Sequence, residues 1–257
     1  MTTLNDPFAA LEGPLAGTTR MRLRVVENRP LTPSMQRVVL SAPELAGFSY
    51  RPGQDLMLMV AVDGDRPVRR RYTIAGLDAA RHRLTLGIVR HDGGGPGEAW
   101  VSAARPGDEV EGIGPRGKIF PVSGATWHLF AGDFSALPAF FAMARSLPPD
   151  ERATVLLEVP GPGDEQEPGA AARVDVTWLH RGSRPAGDPS ALAAALAEVP
   201  LPPEAGHAYL AGEAAQVLAM RAALAARGLA GEHVSPKAYW GRGRANEAHG
   251  EPTRDAT

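Results

Sequence analysis

The chain has 257 residues, enough for two ordinary domains or one large one. Its composition, 44% hydrophobic and 22% charged with a net charge of -2, is that of a folded globular protein and offers no overall field for nucleic acid or an acidic membrane surface. There is no cysteine, which excludes disulfides, thiolate metal sites, iron–sulfur clusters and cysteine nucleophiles.

Residues 1–19 lack a basic stretch followed by an apolar one, so they read as a loose lead-in rather than a secretory signal. No run approaches the ~18 apolar residues of a membrane span, and the expected location is the cytoplasm. Residues 20–27 alternate Met21, Leu23 and Val25 against Arg22 and Arg24, the pattern of a half-buried strand. Residues 35–40, 55–62, 70–75, 83–90 and 108–113 follow as strands, with Gly, Pro and Asp in each gap. One short helix is expected at residues 98–104. Strands this short and this regularly punctuated point to a small antiparallel barrel or sandwich.

Near Thr126 the pattern changes to strand–helix alternation. Apolar runs at 127–131, 154–159, 175–179 and 207–211 read as parallel strands, with 237–240 as a last one. Ser135 is the expected cap of the first helix, and Pro189 the first helical residue of an alanine-rich helix running to Val199. Residues 160–172 read as a mobile Gly/Pro/acidic loop. A helix carrying Val217, Met220 and Leu224 stops at Gly228. The expected architecture is a six-stranded antiparallel barrel at 16–124 followed by an open parallel-sheet α/β domain at 125–257. Ligands of such sheets sit at the carboxyl ends of the strands.

Arg69-Arg70-Arg71-Tyr72-Thr73 opens one barrel strand. Strand geometry puts Arg70 and Tyr72 on one face and Arg71 and Thr73 on the other. A guanidinium beside a flat ring suits a ligand with an anionic linker and a planar ring system. By itself the stretch reads more readily as a solvated edge with spare arginines. His91 leads a glycine-rich segment, Gly93-Gly94-Gly95-Pro96, that opens the short helix, and side-chain-free backbone at a helix start is an anion cradle. Glu98 in that helix would repel a pyrophosphate unless it points away. Arg116 and Lys118 in Gly114-Pro115-Arg116-Gly117-Lys118 are cations at the mouth of the barrel. Gly132-Asp133 and Gly212-Glu213 close two strands of the second domain, without a G-x-G-x-x-G or a G-x-x-x-x-G-K-[ST] pattern. Tyr239-Trp240-Gly241-Arg242-Gly243-Arg244 brings two aromatics and two arginines to the end of the fold. The histidines show no i,i+4 pair, and no G-x-S-x-G elbow is present, so metalloenzyme and hydrolase readings have little support.

In this order and spacing the motifs resemble the siderophore-interacting protein family, flavin-dependent ferric-siderophore reductases of the ferredoxin-reductase-like superfamily. The resemblance covers residues 20–251. It implies an FAD-binding barrel, with Arg70 at the flavin phosphates, Tyr72 and Thr73 at the isoalloxazine, and Val89 to His91 beside the ring. Gly95, Pro96 and the helix carrying Trp100 would meet the pyrophosphate. It implies an α/β domain that brings NADPH or NADH to the flavin from Gly132-Asp133 and Gly212-Glu213. A ferric siderophore is the implied substrate, with Arg116, Lys118, Arg242 and Arg244 as its cationic contacts and with no catalytic acid, nucleophile or metal ligand. A monomer is expected. The chain departs from the family's usual residues at Phe134, Ala75, Glu98 and Gly241. Of the opening cluster, Arg69 and Arg71 are expected to be exposed. The alternatives are a general flavin-dependent electron-transfer reductase and a non-catalytic siderophore- or nucleotide-binding protein.

Overall fold

The computed structural model describes residues 17–63, 66–91, 93–202 and 205–243. The chain divides into two compact units, Met1–Lys118 and Ile119–Thr257. The first is a closed barrel of β1 (Thr19–Thr32), β2 (Met35–Ser41), β3 (Asp55–Asp63), β4 (Arg66–Asp78), β5 (Arg83–Val89) and β6 (Glu109–Arg116). The order around the barrel is β1-β2-β5-β4-β3-β6, and every neighbouring pair is antiparallel. Alternation sends Leu23, Val38, Leu40, Leu56, Leu58, Ile74, Leu84 and Leu86 into the core, all fully buried. β1 runs past the expected Glu27 because it pairs with β2 up to a tight hairpin, where Thr32 faces Met35.

One helix, α1 (Pro96–Ala103), lies between β5 and β6. It starts two residues earlier than expected, with Pro96 at the first position and Gly95 as N-cap. The Gly114-Pro115 peptide is cis.

The second unit is a parallel sheet in the order β11-β10-β7-β8-β9, made of β7 (Trp127–Asp133), β8 (Arg152–Val159), β9 (Arg173–His180), β10 (Gly206–Glu213) and β11 (Val234–Trp240). Every residue of β7 and β10 is buried, as their unbroken apolar runs require. Helices α2 (Leu137–Arg145), α3 (Ser190–Glu198) and α4 (Ala214–Ala226) complete the layers. Leu192, Leu196, Val217, Met220 and Leu224 pack against Leu129, Leu156, Ala208 and Leu210.

Three local expectations change. Ser135 does not cap the first helix: a 3-10 turn at Phe134–Ala136, itself capped by Asp133, precedes α2, whose N-cap is Ala136. Pro189 is the N-cap of α3 rather than its first helical residue, and the Asp188 carboxylate accepts from both the amide and the hydroxyl of Ser190. The 160–172 segment folds a turn at Pro162–Asp164 and buries Asp164. No helix among the described residues is long and apolar enough to cross a membrane.

Candidate cofactor sites

In the barrel unit, Arg70 and Tyr72 share one face of β4, and the first turn of α1 lies directly on them. A Cβ added at Gly97 would stand 2.7 Å from Tyr72 Oη and 3.3 Å from Arg70 Cγ, so only glycine allows this approach. Trp100, one turn along α1, stacks on the Tyr72 ring with centroids 6.2 Å apart. Burial pushes the Tyr72 phenol well above its ordinary range, against the pull of Arg70, so it stays protonated as a donor. The N-cap Gly95 offers no side chain to the α1 N-terminus. Helix amides, guanidinium and phenol therefore converge, and this combination fits the pyrophosphate and ring of a flavin dinucleotide. Val89 is the last residue of β5, half-buried, and His91 just beyond it is exposed.

Thr73 is buried on the opposite face of β4, paired across the strands with Asp55. Arg71 lies on that face too and is not exposed as expected. Its Nε donates to Asp55 Oδ1 at 2.8 Å and its Nη2 to Oδ2, with the Asp55 side chain only 6% exposed. Arg69 is half-buried. Arg116 on β6 stands opposite Asp55 in the β3–β6 register, and its Nη1 is buried without an acceptor among the described residues. Burial, then the neighbouring Arg71 charge, hold the Arg116 guanidinium below its ordinary range. Arg71 thus holds the buried Asp55 carboxylate beside Thr73, and the Arg116 guanidinium feels both charges. Lys118, in the turn after β6, is exposed.

The Glu98 carboxylate is taken up by groups outside the first turn of α1. Its Oε1 accepts from Arg90 Nε at 2.6 Å and Ser102 Oγ at 3.0 Å, and its Oε2 from the His91 amide at 3.0 Å. Burial alone would raise this carboxyl, but the His91 amide, Arg90 and Ser102 hold it below the usual carboxylate range. Nothing in the sequence marks Arg90 as its partner, since the two residues lie on different elements.

In the second unit, Gly132 and Gly212 stand side by side at the carboxyl ends of β7 and β10. A Cβ on Gly132 would strike the Ala211 carbonyl at 2.0 Å, and one on Gly212, at φ +136°, would meet the Asp133 carboxyl. Both glycines are thus explained by close packing. The Asp133 carboxyl is buried: Oδ1 accepts from the amide and hydroxyl of Ser135, and Oδ2 from the Glu213 amide and Trp240 Nε1, both at 2.8 Å. Burial raises it, and these donors oppose the rise. Glu213 caps α4 by accepting from the Ala215 and Gln216 amides, and its other oxygen accepts from the Arg242 amide at 3.0 Å. The side chains of Asp133 and Glu213 therefore build this edge of the sheet and are occupied within it. Arg242 is exposed, and Arg244 lies outside the described residues. No group of three or more potential metal ligands occurs among the described residues.

Two family models match the chain: "Siderophore-interacting FAD-binding domain" at residues 58–119 and "Siderophore-interacting protein" at residues 125–243. An uncharacterized protein of Mycobacterium tuberculosis is 32% identical, over 91% of this chain and 94% of its own length. Ferric vibriobactin reductase ViuB of Vibrio cholerae is 29% identical, over 89% and 92%. The crystal structure of a siderophore utilization protein from T. fusca superposes with a TM-score of 0.80 at 30% identity, covering 91% of this chain and 97% of that one. The chain belongs to the siderophore-interacting protein family, and its barrel carries that family's FAD-binding domain.

Proposed function

We propose that the protein is an NAD(P)H-dependent ferric-siderophore reductase, which uses FAD to release Fe(II) from the chelate in the cytoplasm. The observation that carries this reading is the convergence of Arg70, Tyr72 and the α1 backbone inside the matched FAD-binding domain. When bound, FAD supplies the redox chemistry, taking a hydride from the nicotinamide cofactor and handing single electrons to chelated Fe(III).

The protein's own part is to bind and orient. Arg70 and the uncapped amides of α1 hold the pyrophosphate. Tyr72, backed by Trp100, packs against the ring system, while the Thr73 side chain lies on the other face of β4. Gly95 and Pro96 start the helix that brings those amides in. The nicotinamide cofactor enters over the carboxyl ends of β7 and β10, where Gly132 and Gly212 allow the two strand ends to pack closely and Asp133 and Glu213 hold their shape. Arg116, Lys118 and Arg242 attract anionic chelates. Reduction lowers the charge on iron and loosens its hold on hard oxygen donors. The reaction needs no general acid or nucleophile.

The test is to reconstitute the purified protein with FAD, add each nicotinamide cofactor without oxygen, and follow bleaching of the flavin bands. Rapid bleaching by one cofactor, then recovery when a ferric siderophore is added, is the expected result. A protein that binds no flavin refutes the proposal.

A further inference from the structure

Glu98 is the only acidic residue in the first turn of α1, and its side chain is 12% exposed. A carboxylate three positions into a helix ordinarily reaches back to the helix's own N-terminal groups. That geometry would occupy amides a phosphate needs and set negative charge beside it. Instead Glu98 is turned toward Arg90, Ser102 and the His91 amide. Arg90 also donates to Ser102 Oγ at 2.9 Å, so the guanidinium is fixed on the same three-residue cluster. The preceding residue, Gly97, faces Arg70 and Tyr72, and the Glu98 charge is still felt at the Tyr72 phenol.

We infer that Arg90 is a positioning residue of the flavin site, acting through Glu98. It cancels a carboxylate one turn from the pyrophosphate and aims it away from the amides that receive the phosphates. The inference rests on the FAD reading above and adds a charge rule to it. The Arg90–Glu98 pair is neutral. Arg90→Leu leaves one uncompensated negative charge near the phosphates, Glu98→Gln leaves one positive charge, and the double variant is neutral again. FAD affinity should follow those charges. A clamp that acted only by holding the loop in shape would give weaker binding in all three variants, because each breaks the same ion pair.

The experiment titrates apo-protein with FAD by flavin fluorescence for the wild type, Arg90→Leu, Glu98→Gln and the double variant, with a thermal melt of each apo form. Arg90→Leu should bind on the order of tenfold more weakly, with the deficit shrinking as salt is raised. Glu98→Gln should bind as tightly as the wild type or more tightly, and the double variant should recover most of the loss. A double variant as weak as Arg90→Leu overturns the inference. So does a Glu98→Gln variant that loses affinity, which keeps the test decisive even if Arg90→Leu folds poorly. Wild-type protein that fails to bind FAD overturns the FAD reading itself, and that result is distinct from a wrong order among the variants.

Discussion

Arg70 and Arg71 are neighbours in sequence with opposite duties, and replacing each with alanine should separate stability from flavin binding. Arg71 holds Asp55 through two hydrogen bonds, and both side chains are largely out of solvent, 20% and 6% exposed. Removing one partner of a buried pair costs about 3–5 kcal/mol. Arg71 keeps some exposure and the nearby Arg116 charge still acts on Asp55, so the lower end of that range, about 3 kcal/mol, is expected for Arg71→Ala. Arg70 is half-buried, and its hydrogen bond to protein runs from Nη1 to the neighbouring Arg69 carbonyl. Its loss should cost under about 1 kcal/mol of stability. Toward a pyrophosphate, however, Arg70 offers charge-assisted hydrogen bonds worth about 1.5–3 kcal/mol. Arg70→Ala should therefore weaken FAD binding roughly 10- to 100-fold. Urea unfolding of the apo-proteins and fluorescence titration with FAD read the two effects separately. Similar losses for both variants in both assays would refute the reasoning and return the arginine run to a solvated edge.

Two further outcomes follow from the second unit. Asp133→Ala removes the acceptor for the buried Glu213 amide and for Trp240 Nε1, each loss costing about 1–3 kcal/mol; urea unfolding should show the variant destabilised by several kcal/mol, and near-wild-type stability would contradict the bonding described. His207 is held down at about 4 by burial and by the nearby His233 and His128, while its Nε2 meets Ser235 Oγ. The unfolded chain binds a proton at His207 before the folded one does, so this residue makes stability fall as pH drops from about 6.5 to about 4. The contribution is at most about 3 kcal/mol, and a pH series of melts should show a flatter slope for His207→Gln; an unchanged slope would contradict it.

Much of the fold was legible because its signals are local. The unbroken runs of β7 and β10 announce strands buried on both faces, and the alternation in β1 and β5 announces barrel walls. That Arg70 and Tyr72 share a strand face, and that the glycines lead into α1, was legible for the same reason. What escaped notice depends on long-range register. Arg71 meets Asp55 only because β3 and β4 pair across an irregularity between Met59 and Ala61, which no local pattern encodes. The inward turn of Asp133 depends on Trp240, which arrives from the far end of the chain. Glu98 looked like an obstacle to a phosphate because its partner Arg90 sits on the approach to the loop rather than at helical spacing.

The most direct test of the central claim mixes FAD-loaded, fully reduced protein with a ferric siderophore in the absence of oxygen and in the presence of a colorimetric trap for Fe(II). The account predicts that flavin absorbance returns in step with the colour of trapped ferrous iron. Flavin that stays reduced, or that reoxidises while no ferrous iron appears, would contradict it.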